Sequence, residues 1–275
     1  MRLTRCHVDA PLAVGASLAL PETAANHLAR VLRLREGDAC VVFNGDGHDY
    51  DARLSTISKR EVRAEIIAAR SVDNESPLQV TLLQGIARGE KMDLILQKAT
   101  ELGVAAVRPV HSQRSEVKLD EARGAKRLAH WQSVVISACE QSGRAVVPHV
   151  APPEPLAAAI RGLPEGGLRL ILDPEATETC ATLAWSPGTQ VVLAVGPEGG
   201  WSPLDREQLL AGGEGFGLGI RKTVGFIATA TRWQPIDPQP GMLQYPFVDQ
   251  SRKRRGTHAC TGQQLTALYP AVFLG

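Results

Sequence analysis

The sequence predicts an α/β protein in two parts: a small N-terminal β-barrel, then an α/β domain built on a mainly parallel sheet. Three observations lead there. Short β-type runs without long helices fill residues 1–72. From residue 77 onward β-type runs alternate with helical patterns, the arrangement that yields parallel strands joined by crossover helices. Between the two parts, Asp73-Asn74-Glu75-Ser76-Pro77 is polar and ends in proline, as linkers do.

In the first part strands are predicted over Thr4–Val8, Ala39–Phe43, Tyr50–Ile57 and Val62–Ala68. Asn44-Gly45-Asp46-Gly47 separates two of them and suits the φ > 0 positions of a tight hairpin. One helix is predicted over Glu22–Leu34, with Ala25, Leu28 and Leu32 on one face and Arg30, Arg33 and Arg35 towards water. In the second part the strands are Leu78–Leu83, Val104–Val110, Leu168–Leu172 and Gln190–Val195. Helices are expected over Gly89–Gly103, where Met92, Ile95, Leu96, Ala99 and Leu102 keep helical spacing, and over Asp120–Ser142. Segment 151–167, rich in Pro, Ala and Gly, reads as loop with room for one short helix. The chain becomes glycine-dense from Gly212 to Gly219, and the second domain is assigned residues 77–232. Residues 233–275 carry five prolines and the basic run Arg252-Lys253-Arg254-Arg255, with no periodicity, and read as an atypical, poorly ordered tail.

Composition narrows the function classes. The chain has 275 residues, 44% hydrophobic and 21% charged, with a formal net charge of only +1, so it does not hold nucleic acid by bulk attraction. Any RNA contact must come from local basic clusters. No apolar run approaches the roughly 18 residues of a membrane span, and the N-terminus lacks an apolar signal core; a cytoplasmic location is expected. The five cysteines, Cys6, Cys40, Cys139, Cys180 and Cys260, form no CxxC pair and do not cluster with the histidines. Neither a metal site nor a disulfide framework is expected.

The strongest local signal is the apolar run Val191–Val195 passing directly into Gly196-Pro197-Glu198-Gly199-Gly200. Glycines at the end of a buried parallel strand let the backbone approach a flat ligand, while proline stiffens the loop. The loop is not GxGxxG, and no Lys-Ser/Thr follows it, so a phosphate cradle is disfavoured. A ligand read by backbone amides, such as an adenosyl group, fits better. Taken alone, a plain structural turn fits equally well.

Other segments add to it. Arg88-Gly89-Glu90-Lys91-Met92-Asp93 leads into Gln97-Lys98-Ala99-Thr100-Glu101-Leu102-Gly103; Gln113-Arg114-Ser115-Glu116-Val117-Lys118 follows a strand end; Cys139-Glu140-Gln141-Ser142-Gly143-Arg144 closes a helix. In this order, from Met1 to about Gly219, the chain resembles the family of 16S rRNA (uridine-N3) methyltransferases of the SPOUT class. The resemblance implies a PUA-like RNA-binding barrel, a SPOUT domain with a trefoil knot, S-adenosyl-L-methionine as methyl donor without a metal, and a homodimer. It also implies, as substrate, uridine 1498 of 16S rRNA (standard numbering) within the small ribosomal subunit.

By the same resemblance the cofactor pocket would use Leu172, Gly196, Pro197, Glu198, Gly199, Gly200, Leu218 and Gly219. Arg2, Arg5, Arg30, Arg33, Glu140 and Gln141 would face the RNA, with Lys91, Lys98, Arg114 and Lys118 as further candidates. The chemistry asks little of acid–base machinery. The enzyme must hold an activated methyl in line with uracil N3 and favour loss of the imide proton. The base must be unpaired or flipped out. Arg144 is the candidate for positioning or charge stabilisation. Read one at a time, the barrel arginines are an ordinary solvated face, and Lys91 and Lys98 suit pairing with Glu90, Asp93 or Glu101 as well as RNA contact.

Two departures from the family pattern stand out. Ala145 follows Gly143-Arg144 where the family commonly has Asn. After Leu218-Gly219, the family's Leu-Arg-x-Glu-Thr-Ala segment, which closes the knot over the cofactor, is replaced by Ile220-Arg221-Lys222-Thr223-Val224-Gly225. A shift of reading frame in the gene would produce this. It opens an alternative: an rRNA-binding protein of the same ancestry that is catalytically impaired or inactive.

Overall fold

The computed structural model describes residues 3–58, 60–115, 121–173, 176, 186–211 and 218–220. In the N-terminal part the strands are β1 (Arg5–His7), β2 (Ser17–Ala19), β3 (Ala39–Phe43), β4 (His48–Ile57) and β5 (Val62–Ser71). They form a barrel-like mixed sheet in the order β1-β3-β4-β5-β2, with β1 parallel to β3 and the other pairs antiparallel. In β5 the alternate residues Val62, Ala64 and Ile66 point inward, the period-two pattern of a strand with one buried face. They pack with Cys6, Leu28, Cys40, Val42 and Leu54. The expected hairpin is present: Gly45 and Gly47 take φ of 93° and 89°, and the Asp46 N–H donates to Asn44 Oδ1 at 3.2 Å.

The helix expected over Glu22–Leu34 is shorter and divided. Glu22–Asn26 is α1, and His27–Val31 is a π turn, closed by the Leu32 N–H donating to the His27 carbonyl at 2.9 Å. A π turn takes in an extra residue and so rotates the residues after it about the helix axis. Leu28 therefore stays fully buried while Leu32 is exposed, and Ala29 and Leu34 pack on the core instead.

The C-terminal part comprises β6 (Gln79–Gly85), α2 (Glu90–Glu101), β7 (Ala106–His111), α3 (Glu121–Ser142), β8 (His149–Val150), β9 (Glu154–Pro155), α4 (Leu156–Arg161), β10 (Leu168–Leu172), β11 (Gln190–Val195), α5 (Pro203–Leu210) and β12 (Leu218–Ile220). The sheet order is β12-β10-β11-β6-β7-β8, with β9 also on β7, and the pairings are parallel. Both faces are covered. Val80, Leu82 and Leu193 pack under Met92, Leu96, Trp131 and Val135, while Leu83, Val192 and Ala194 pack under Leu156, Ala159 and Leu209. That two-sided burial is why these strands read as nearly continuous apolar runs. The expected α/β architecture with a mainly parallel sheet is what the chain forms.

The segment read as a linker is packed against the end of α3. Asn74 Nδ2 donates to the Gly143 carbonyl at 2.9 Å, and Glu75 receives Arg144 Nε at 3.0 Å and also Nη2. The first strand joins the same junction. Arg5 Nη1 donates to the Cys139 carbonyl at 2.7 Å and Nη2 to Asp49 and to the Arg144 carbonyl, with the guanidinium 4.4 Å from the centroid of the Phe43 ring. The His7 N–H donates to Glu140 Oε1 at 3.0 Å. Among the described residues no helix is long and apolar enough to cross a membrane.

Candidate functional site

The strand order places a ligand-sized crevice before any side chain is considered. From β6 the chain moves to β7 on one side; from β11, its direct neighbour, it passes over β10 to β12 on the other. Connections that leave adjacent parallel strands in opposite directions open a crevice at their carboxyl ends, where ligands of open α/β sheets bind. The loop Gly196–Gly200 begins there, one residue after Val195, which pairs with Gln84 near the end of β6.

The loop's shape follows from close approaches. A Cβ on Gly85 would lie 2.5 Å from Pro197 Cδ, so only glycine lets Pro197 rest on the end of β6. A Cβ on Gly196 would lie 3.0 Å from Gly200 C and from Trp201 N, so the loop folds tightly on itself. The Gly200 N–H donates to the Pro197 carbonyl at 2.8 Å, and Gly200 has φ +67° with open space on its Cβ side.

Side chains from three strand ends hold the loop. From β6, Gln84 is fully buried; its Nε2 donates to the Gly85 carbonyl at 2.8 Å and the Gly196 carbonyl at 3.3 Å, and among the described residues its Oε1 has no partner. After β7, Arg114 Nη1 donates to the Gly199 carbonyl at 2.8 Å. The loop's own Glu198 reaches α2, taking the Arg88 N–H at 3.0 Å and standing 3.5 Å from Lys91 Nζ. Burial alone would raise the Glu198 pKa, but hydrogen bonds from its own backbone and from Arg88, with the Lys91 charge, outweigh it and hold the carboxyl below the usual carboxylate range. Helix α2 has no side-chain cap of its own, so this carboxylate also complements its N-terminal dipole.

The loop then enters α5 through a capping box, with Asp205 N–H donating to Ser202 Oγ and Ser202 N–H to Asp205 Oδ2, both at 3.0 Å. Asp205 also accepts the Gln113 N–H at 3.2 Å, and Ser202 Oγ donates to Gln113 Oε1 at 2.8 Å. The β7 loop is thereby fastened to the start of α5, and Arg114 stands beside Gly199 on a fixed base.

Of the residues expected at the cofactor, the structure brings Leu172, Gly196–Gly200, Leu218 and Gly219 to one edge of the sheet. Ile171 is in register with Ala194 and with Gly219, and Leu172 with Ile220. The residues expected at RNA divide. Arg30 and Arg33 are exposed on and just after the π turn, Arg33 with a φ of 55°; Gln141 is exposed at the end of α3. Lys91 pairs with Glu198, and Lys98 with Glu101 at 2.8 Å. Arg5 and Glu140 are engaged in the junction described above. Arg144 is buried there too: besides Glu75, its Nη1 donates to the carbonyls of Thr100 at 2.9 Å and Val104 at 3.0 Å. Arg2 and Lys118 lie outside the described residues.

Sequence reading passes over Gln84, Gly85 and the Ser202–Asp205 box. A glutamine followed by glycine at the end of an apolar run, and Ser-x-x-Asp behind a glycine loop, are the signals that could have found them. Burial pushes the Cys6 thiol up to about 12 and those of Cys40 and Cys139 up to about 11, which removes these sulfurs from nucleophilic chemistry. Among the described residues no group of His, Cys, Asp and Glu is placed to hold a metal.

Comparison with known proteins matches both parts of the chain. A sequence model of an RNA methyltransferase domain matches residues 74–222, and one of an RNA methyltransferase PUA domain matches residues 20–67. Ribosomal RNA small subunit methyltransferase E from Bacillus subtilis is 29% identical over 204 residues, covering 71% of this chain and 80% of that protein. The protein of that name from Aquifex aeolicus is 31% identical over 196 residues, 71% of this chain and 82% of its own. The crystal structure of the Neisseria gonorrhoeae protein of that name, bound to S-adenosyl methionine, superposes with a TM-score of 0.75 at 38% identity, covering 84% of this chain and 96% of the other.

Proposed function

Since the chain belongs to the ribosomal RNA small subunit methyltransferase E family, we propose that it transfers a methyl group from S-adenosyl-L-methionine to N3 of a uridine in 16S rRNA, at position 1498 of the standard numbering. The observation that carries the reading is the loop Gly196–Gly200 at the switch point between β6 and β11, in a chain that overlays a relative holding that cofactor.

The residues fit such a ligand. Among the described residues Gly200 faces open space and Gln84 Oε1 is a buried acceptor without a protein partner, while Gly196 and Gly85 leave no room for side chains that would distort the loop. Leu172, Gly196–Gly200, Leu218 and Gly219 would hold the adenosyl group, largely through backbone. S-adenosyl-L-methionine supplies an already activated methyl group, and no metal is needed. The chain's own residues have two tasks: to keep the loop rigid, through Gln84, Arg114 and Glu198, and to present the uridine in line with the methyl. The N-terminal part, with Arg30 and Arg33 exposed on and just after its π turn, would grip the RNA. The target base must leave its stack to reach the crevice.

Further features of the reading are a knotted SPOUT topology closed by β12, a cytoplasmic location, and a homodimer to which the exposed Leu204 and Leu210 of α5 would contribute. With a net charge of +1, the assembled small subunit is a better substrate than naked rRNA. The deciding experiment is methylation of small subunits with labelled cofactor and mapping of the modified nucleotide; label at another atom or base overturns the assignment.

One observation favours a second reading. Ile220-Arg221-Lys222-Thr223-Val224-Gly225 stands where the resemblance leads one to expect Leu-Arg-x-Glu-Thr-Ala, the segment that the resemblance implies closes over the cofactor; residues 221–225 lie outside the described residues. The second reading is an rRNA-binding protein of this family that no longer transfers methyl groups. Calorimetry with S-adenosyl-L-methionine separates the two, since micromolar binding removes the second. Resequencing the gene across codons 212–235 shows whether the expected motif lies in another frame.

A further inference from the structure

We propose that Arg114 is the catalytic cation of the site, placed to stabilise the negative charge that develops on the uracil ring as N3 loses its proton. The proposal rests on the methyltransferase reading above. It starts from a difference among the basic side chains around the loop. Lys91 is paired with Glu198, and Arg206 with Asp173. Arg144, the choice from sequence for this role, is buried and donates to Glu75 and two carbonyls. Arg114 instead meets a neutral acceptor, the Gly199 carbonyl at 2.8 Å, and among the described residues no carboxylate is paired with it.

Its place suits the task. The side chain is exposed, so its charge is open to an incoming ligand, and its Cβ and Cδ lie 3.6 Å from where a Gly199 Cβ would be. The backbone beneath it is fixed. Gln113 is tied to Asp205 and Ser202 on α5, and the Ser115 N–H donates to the Ser112 carbonyl at 3.1 Å. A preorganised cation at the mouth of the cofactor loop costs little reorganisation when charge develops. With one N–H of its Nη1 on Gly199, a planar guanidinium still has donors for a uracil carbonyl oxygen.

The step balances without another reagent. N3 gives its proton to water, leaving the ring anionic with the charge shared by the flanking carbonyl oxygens. The N3 electron pair then forms the N–CH3 bond as the S–CH3 bond breaks, and that bond's electrons stay on sulfur as a neutral thioether. Arg114 acts on the anion, before and during transfer, and itself neither gains nor loses a proton.

The test uses the full chain and small ribosomal subunits, comparing wild type with Arg114→Gln and Arg114→Lys. The expected result for Arg114→Gln is a kcat lower by on the order of 10²-fold. Its pH–rate profile should have the rising limb displaced to higher pH, because the uridine ionises less readily, and Arg114→Lys should restore part of both. Loss of the Gly199 contact should also weaken cofactor binding, so the rates are taken at saturating cofactor, where the pH profile is the deciding readout. An unchanged pH profile overturns the proposal in either of two ways. Paired with weakened cofactor binding, it makes Arg114 a brace for Gly199; paired with a raised KM for subunits and a shallower salt dependence, it makes Arg114 a phosphate contact. A wild-type chain that transfers no methyl group overturns the enzymatic reading itself, and this proposal with it.

Discussion

Gly85 and Pro197 approach so closely that a Cβ on residue 85 would sit 2.5 Å from Pro197 Cδ and 2.7 Å from its nitrogen. Gly85 ends β6 and Pro197 is the second residue of the glycine loop, so this contact sets how near the loop lies to the sheet edge. Gly85 is not among the positive-φ glycines, so alanine is free to adopt its backbone conformation and the cost falls on the contact. Gly85→Ala should displace Pro197 and weaken S-adenosyl-L-methionine binding about tenfold or more, equivalent to roughly 1.4 kcal/mol. Calorimetry checks it. Wild-type affinity in a folded Gly85→Ala protein means the loop's shape does not depend on this approach.

Arg144 is expected to be a stability residue. Its side chain is 5% exposed and serves Glu75 and the carbonyls of Thr100 and Val104, which lie at the end of α2 and in the turn before β7. Truncation leaves the Thr100 carbonyl with the Gly103 N–H alone, takes the Arg144 donor from the Val104 carbonyl, and leaves the Glu75 carboxylate without its cation. Breaking a buried pair from one side costs about 3–5 kcal/mol. Arg144→Ala should lower the free energy of unfolding by that order, read in urea denaturation. A variant as stable as wild type that methylates slowly would return Arg144 to the catalytic role that the sequence suggests.

Arg144 and Arg5 also mark where sequence reading reaches its limit. A guanidinium bonds carbonyl, carboxylate and phosphate by the same geometry, so the residue type alone does not say whether it faces RNA or closes a junction within the chain. Arg5 turns inward because strand β1 packs on the end of α3, a contact between residues more than 130 positions apart, and Arg144 because the end of α3 packs on Glu75 and on the turn between α2 and β7. Strands β3, β10 and β11 are legible to the residue, since each is a short apolar run with helix-breaking neighbours. Strands β2, β8, β9 and β12, at two or three residues, are too short to carry a period. Leu32 falls on the other face from the one its spacing suggests, because nothing in the pattern announces a π turn. The glycine loop itself is plain. The residues that hold it, Gln84 and Gly85, carry only a Gln-Gly pair at the end of an apolar run, and what they touch becomes visible when β6 and β11 are side by side.

Burial of the thiols has a consequence that can be read by labelling. With their pKa values pushed up to between about 11 and about 12, Cys6, Cys40 and Cys139 hold almost no thiolate near neutral pH. Iodoacetamide near neutral pH should leave all three unmodified in the folded protein and alkylate them in denaturant, as peptide mass spectrometry would show. Rapid alkylation of Cys139 without denaturant would mean that the junction holding Arg5 opens readily.

Glu198 gives the loop a pH dependence whose sign can be worked out. Its folded pKa is depressed below the ordinary carboxylate value of about 4.3, so the unfolded chain takes up the proton first as pH falls. The stabilisation is then fully present above that value and is lost as pH falls through the folded pKa. Glu198→Gln keeps the shape but removes the charge that Arg88 N–H and Lys91 meet. The variant should be less stable than wild type by a constant amount above about pH 5, and the gap should narrow as the pH drops below about 4. Urea denaturation of both proteins at a series of pH values measures the gap directly. Cofactor affinity should fall with the same substitution, because the tie between the loop and α2 is then a single neutral hydrogen bond. A gap that stays constant down to about pH 3 would show that the carboxylate is solvated in the folded protein, and would leave Gln84 and Arg114 as the contacts that hold the loop.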